Sequence, residues 1–113
     1  MHELSICEGI VQMLEEQSTI HKYKTVKTVW LEIGPFACVE LDALRFGFDV
    51  VTKDTLAEGA RLEIIECIGE AWCMNCEIKT PLKERYDACP ECAGYQLRIT
   101  SGEELRIKNL EVN

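Results

Sequence analysis

The chain has 113 residues, 47% of them hydrophobic and 28% charged, and a formal net charge of −8 at pH 7. That length suits one compact domain with a small satellite module, and the apolar content excludes a disordered chain. No stretch is long and apolar enough to span a bilayer, no basic leader precedes an apolar run, and an acidic surface repels phosphate backbones. The expectation is a cytoplasmic protein that binds neither membrane nor nucleic acid.

In chain order, the first pattern runs from Leu4 to Ile20. Leu4, Cys7, Val11 and Leu14 recur at spacings of three and four, and Ile10 widens the stripe. Glu8, Gln12, Glu15 and Glu16 form a polar face, so the segment predicts an amphipathic helix. Thr25 to Ile33 predicts a strand, in which Val29, Leu31 and Ile33 alternate with Trp30 and Glu32. Gly34-Pro35 ends it. A second helix is predicted over residues 40–53, with Leu41, Leu44, Phe48 and Val51 on one side. Arg61 to Cys67 and Leu105 to Val112 predict two further strands. The fold class is therefore α+β: two helices packed on a small mixed three-stranded sheet, with an inserted zinc-ribbon-like module. The body takes residues 1–67 plus 104–113, and the module takes residues 68–103. With few large apolar residues, the module needs a staple to fold, and a metal supplies one.

Seven cysteines, an odd number without a leader, argue against a disulfide framework. Four of them form C-x2-C-x12-C-x2-C: Cys73, Cys76, Cys89 and Cys92. Two residues between cysteines make a tight turn that points both sulfurs at one centre, and two such knuckles give the tetrahedral S₄ shell that Zn²⁺ accepts. The spacer 77–88 is long enough for an out-and-back ribbon that brings the knuckles together. Iron is the nearest chemical competitor. A thioredoxin-like redox pair would open a helix after a buried strand, and neither pair does. A closed S₄ shell leaves no position for a catalytic water, so the ion is structural. It explains how the module folds, not what the protein does.

The N-terminus holds the second metal candidate. Initiator removal is disfavoured before the large His2, so Met1 is expected to keep its α-amine. That amine, the His2 amide nitrogen and the His2 imidazole can chelate one ion through fused rings. Glu3, by its amide nitrogen or carboxylate, can complete four ligands. Tetragonal nitrogen-rich sites suit Ni(II) or Cu(II). On chemistry alone the competing reading is a frayed terminus, with Glu3 favouring the helix dipole.

Several segments resemble the HypA/HybF hydrogenase maturation proteins, a family of nickel metallochaperones. They are Met1-His2-Glu3-Leu4-Ser5, Val29-Trp30-Leu31-Glu32-Ile33-Gly34, Arg45-Phe46-Gly47-Phe48, Ala71-Trp72-Cys73 with the paired cysteines after it, and Ile107-Lys108-Asn109-Leu110-Glu111-Val112. The likeness covers essentially the whole chain, in order. It implies a nickel-binding α/β domain and a zinc-binding domain. It implies delivery of Ni(II) to the precursor of the [NiFe]-hydrogenase large subunit, with a HypB-type GTPase as partner. Carried over residue by residue, it makes His2 a nickel ligand helped by the Met1 amine and Glu3. It adds Glu40 as an acidic residue approaching the metal, and Cys73, Cys76, Cys89 and Cys92 as zinc ligands. The oligomeric expectation is a monomer or weak homodimer.

The remaining candidates carry plainer expectations. Cys7, on the apolar side of the first helix, is expected to pack as a small hydrophobe, and so is Cys67; Cys38, in the loop near Glu40, is the best candidate for an exposed reactive thiol, with packing mildly preferred. His21 is expected to be a solvated residue at a helix C-terminus, about 28 Å along the helix from His2. Trp72 is expected to pack over the zinc module. The chain contains no nucleophile elbow, phosphate loop or triad pattern, so it is not expected to be an enzyme. The main alternative to nickel carriage is a zinc-ribbon adaptor joining other proteins, and the third is a thiol redox protein.

Overall fold

Helix α1 (Glu3–His21) buries Cys7, Ile10, Val11 and Leu14, the predicted stripe without Leu4, which is half exposed. The structure, a computed structural model, describes residues 3–113. Glu3 sits in the first turn and His21 in the last, each with the charge or dipole preference that its helix end favours. The helix stops where Lys22 turns left-handed, at φ 57°. Behind it, the Tyr23 hydroxyl donates to the Leu14 carbonyl at 2.6 Å.

Strand β1 (Val26–Ile33) follows, then helix α2 (Leu41–Val51), strand β2 (Arg61–Glu66) and, at the end of the chain, strand β6 (Leu105–Val112). These three strands form one sheet in the order β2-β1-β6. At the C-terminal ends of β1 and β2, the Cys67 N–H donates to the Ile33 carbonyl at 2.9 Å. Those two strands are therefore parallel, joined by the α2 crossover that a parallel pair requires. β6 is antiparallel to β1, because Asn113 N–H meets Thr25 O at one end and Gly34 N–H meets Glu104 O at the other, at 2.9 and 2.8 Å. The sheet is mixed, as expected.

The helices meet where the side chains are small. A Cβ on Gly47 of α2 would lie 3.3 Å from the Cys7 sulfur of α1, and that thiol donates to the Leu44 carbonyl at 3.3 Å. Leu14, Val29, Leu31, Leu44 and Phe48 are all essentially inaccessible and make the core of this part. Arg45 anchors α2 to the strand that follows by donating to the Leu62 carbonyl. The other face of β1 is polar: Thr28 donates to Glu111 at 2.7 Å. Glu32, only 10% exposed, accepts from Arg106 at 2.9 Å.

A second three-stranded sheet, in the order β4-β3-β5, is built from β3 (Gly69–Cys73), β4 (Ile78–Leu82) and β5 (Leu97–Ser101). β3 pairs antiparallel with both neighbours, and a register shift interrupts its pairing with β5 between Glu70 and Ala71. The spacer between the knuckles therefore differs from the expected ribbon. It supplies one outgoing strand, β4, whose partner lies before the first knuckle. The small core here is Phe36, Ala71 and Leu82, with Leu97 and Ile99 packed against it. Trp72, the aromatic expected over this module, points to the other face of β3 and is half-buried.

The chain divides into two compact units. One comprises the stretch up to Leu31, Cys38–Ile64 and Ile107–Asn113, and the other Glu32–Ala37 with Ile65–Arg106. The division passes through β1, β2 and β6. No helix among the described residues is long and apolar enough to cross a membrane.

Candidate metal centres

Cys73 ends β3 and Cys76 lies in the turn to β4; Cys89 and Cys92 lie in the turns before β5. Both knuckles close in the same way. Glu77 N–H donates to Cys73 O at 2.8 Å, and Ala93 N–H donates to Cys89 O at 2.8 Å. Glu77 and Ala93, each next after its second cysteine, take left-handed φ values of 56° and 59°. A four-residue turn ended by one left-handed residue sends the chain back and leaves both sulfurs on its inner side. The first knuckle is tightened by the Cys76 N–H on the Cys73 sulfur at 3.4 Å. Met74 N–H to Gln96 O, at 2.9 Å, ties that knuckle to the approach of β5.

All four sulfurs lie within 4.8 Å of one another, and Cys73 and Cys92 are 3.8 Å apart. A tetrahedral ion with ~2.3 Å metal–sulfur bonds has sulfur–sulfur edges of about 3.8 Å. The cluster therefore fits a tetrahedral thiophilic divalent ion with little rearrangement. Cys73 and Cys89 are buried, while Cys76 and Cys92 are half-buried, so one flank of the shell meets solvent.

The ionisation of the thiols agrees with this. Cys92 is lowered to about 6, first by a hydrogen bond from the Asn75 side chain and then by the Gly94 backbone. Cys76 is pushed up to about 12, first by its hydrogen bond to Cys92 and then by burial. A divalent ion would take the place of thiol protons and satisfy all four sulfurs at once. Asn75 was not singled out from the sequence. Its place inside the first knuckle, where a short donor can reach a sulfur, is the signal that marks it.

At the other candidate centre, Met1 and His2 lie outside the described residues. Glu3 and Glu40 are brought together: the Glu40 N–H donates to Glu3 Oε2 at 3.3 Å. Glu40 is the N-cap of α2, its Oε1 accepting from Asp42 N–H at 2.8 Å. The first turn of α1 thus meets the N-cap of α2 through the Glu3 carboxylate and the Glu40 backbone.

Cys7 is fully buried, as its place on the stripe implies, and burial, helped by Glu3 and Glu8, pushes its thiol up to about 11. Cys38 does not pack. It is exposed at a left-handed φ of 57°, a turn conformation that carries its side chain away from the core. Cys67 is half-buried. His21 is exposed, as expected.

A family profile described as hydrogenase/urease nickel incorporation, metallochaperone, HypA matches residues 1–112. The chain is 58% identical over 112 residues to the hydrogenase maturation factor HypA of Azotobacter chroococcum mcd 1, covering 99% of each chain. It is 55% identical over 113 residues to the protein of that name from Alkalilimnicola ehrlichii, covering 100% of both. In fold it is similar to the solution structure of the Ni metallochaperone HypA from Helicobacter pylori. The TM-score is 0.73 at 24% identity, over 99% of this chain and 97% of that one.

Proposed function

This chain belongs to the HypA family of hydrogenase/urease nickel-incorporation metallochaperones, and on that premise we propose that it carries Ni(II) at its N-terminal end. The ligands are the Met1 amine, the His2 amide and imidazole nitrogens, and Glu3, with Glu40 beside it. The cargo passes to the precursor of the [NiFe]-hydrogenase large subunit, in the cytoplasm, with a HypB-type GTPase as partner. What carries this reading is the family match, which begins at residue 1 and so includes the Met1-His2-Glu3 start. The bond from the Glu40 N–H to the Glu3 carboxylate, at 3.3 Å, supports it by bringing Glu40 to the first turn of α1.

Nitrogen donors at a chain terminus suit a transferable ion better than a closed cage does. Amide ligands must lose protons, so nickel uptake strengthens with rising pH. Cys73, Cys76, Cys89 and Cys92 hold Zn²⁺ as the resident ion, which supplies folding energy to a unit with a small core. With all four positions taken by sulfur, that site activates no water, and the protein acts as a carrier, a monomer or weak homodimer, and not as an enzyme.

The test is nickel titration of His2→Gln beside the native protein. The variant should lose nickel binding and keep about one zinc per chain. Nickel binding unchanged in His2→Gln would remove the imidazole from the site.

A further inference from the structure

The second sheet has an outer face that its small core does not use. Side chains along a strand point alternately to the two faces. Gly69, Ala71 and Cys73 of β3, with Thr80 and Leu82 of β4, are buried on the inner face. Trp72 points the other way and is half-buried. Directly opposite it stand Lys79 on β4 and Arg98 on β5, both exposed. One row across the middle of the face therefore reads lysine, tryptophan, arginine. Neither cation has an ion pair among the described residues, where Arg61, Arg85 and Arg106 each have one. In a chain with 20 acidic side chains against 12 lysines and arginines, two unpaired cations on either side of one indole are an exception.

The nearest carboxylate along the face is engaged by another group. With Trp72 opposite Arg98 and Ala71 opposite Ile99, regular pairing would set Thr100 opposite Glu70. The register shift sets Ser101 there instead, and its hydroxyl donates to Glu70 Oε1 at 3.3 Å. Glu70 is held beyond the shift, and Lys79 and Arg98 keep their charge for a ligand from outside.

Tryptophan and arginine together are the composition that interface centres favour, the ring supplying area to bury and the cations orientation. The ligand that fits is apolar in the middle and anionic on both sides. Adjacent strands lie about 4.8 Å apart, so Lys79 and Arg98 start about 10 Å apart across β3. On an extended segment, side chains on one face recur at about 6.8 Å and then about 13.6 Å, missing that spacing on both sides. On an α-helix, residues seven apart share a face at about 10.5 Å, with the residue three or four along lying between them. We propose that this face docks an acidic amphipathic helix of a partner protein. The helix lies across the strands, its carboxylates seven residues apart on Lys79 and Arg98 and an apolar side chain between them on the Trp72 ring. A single nucleic-acid strand is the competing occupant, since bases stack on aromatic rings and phosphates take cations. Two cations on a chain of net charge −8 disfavour that polyanion. The surface lies wholly within the four-cysteine unit and holds whether or not nickel is the cargo.

The experiment is an NMR titration of the zinc-loaded full chain, with no nickel present. The chain has two tryptophans, so the indole N–H of Trp30, on β1 of the other sheet, is an internal control for that of Trp72. The probe is a capped alanine-rich helical peptide with two glutamates seven residues apart and a leucine between them, beside the same peptide with glutamines in their place. The glutamate peptide should move the Trp72 signal to saturation and leave the Trp30 signal in place. The glutamine peptide should bind about tenfold more weakly, the loss of two exposed charge pairs. Lys79→Glu combined with Arg98→Glu changes only exposed side chains and should keep one zinc. It should lose the glutamate peptide and take up a version carrying lysines at those two positions, a reversal that a misfolded variant could not show. A Trp72 signal unmoved by the glutamate peptide, or moved equally by the glutamine one, would overturn the proposal. So would a charge-reversed variant that still preferred the glutamate peptide. Oligothymidylate moving the Trp72 signal at lower concentration than the glutamate peptide would give the face to nucleic acid and overturn the helix proposal.

Discussion

At the scale of single residues, burial and close approach decide the consequences. Cys7 is inaccessible, and its thiol, ordinarily at 9.0, is pushed up to about 11 by burial first and then by Glu3 and Glu8. The folded chain therefore keeps this proton through a range in which the unfolded chain has lost it. Stability contributed by the neutral thiol is complete below about pH 9 and falls as pH rises toward 11. Cys7→Ala should cost about 1 kcal/mol at pH 8, for a side chain lost from a packed site. It should also show a shallower loss of stability than the native protein between pH 9 and 11, by denaturant titration at each pH. An equal slope in both proteins would assign the alkaline loss to other groups. Gly69 makes a steric prediction. Its Cβ would meet the Phe36 ring and, at 2.7 Å, the Leu82 carbonyl. Gly69→Ala should destabilise the four-cysteine unit by roughly 1–3 kcal/mol although it removes no ligand. Thermal unfolding of the zinc-loaded protein reads this directly.

At the scale of elements, the two helices and the three strands of the mixed sheet were legible because each is long enough to show its period. The 4–20 stripe and the 25–33 strand have bounds within a residue of those observed, Glu3–His21 and Val26–Ile33. The second sheet was not legible. Its strands have five residues each; β3 ends at a knuckle and β4 carries Pro81, so no alternation establishes itself. Both zinc knuckles were readable for the opposite reason: each is a local motif whose function is written in four consecutive residues. Phe36 shows the limit. A lone aromatic in a Gly-Pro loop carries no periodicity, and its partners, the Arg85 guanidinium on its carbonyl and the Gly102 carbonyl on its N–H, are far away in sequence. Cys38 was misread toward packing because nothing local reveals a left-handed turn at a non-glycine residue. The knuckles also make a proton prediction. Thiols are largely protonated at neutral pH and the ion is held by thiolates, so zinc uptake must expel protons, and zinc affinity should fall as pH is lowered. Calorimetry in buffers of different ionisation enthalpy should show proton release on zinc binding at pH 7. Uptake with no proton release would contradict thiolate ligation by sulfurs that are protonated in the free chain.

At the scale of the whole molecule, the proposed function divides labour between two kinds of metal chemistry. Four soft thiolates that fill the coordination shell suit an ion that stays. Nitrogen and carboxylate donors at a chain end suit an ion that leaves. A net charge of −8 gives the surface an attraction for cations, useful to a metal carrier, and repels nucleic acid. The four-cysteine site could be derived from spacing alone. The proposal of an N-terminal nickel site rests on family likeness, because a histidine at position 2 has many ordinary explanations.

The account depends most on where nickel is held. Calorimetric nickel titration of the native chain beside one lengthened by a single glycine before Met1 tests that placement directly, because the extension moves the α-amine out of chelating register with the His2 imidazole. The native chain should bind one nickel ion, and the lengthened chain should bind none while retaining its zinc. Equal nickel affinity in the two chains would place the cargo elsewhere on the protein.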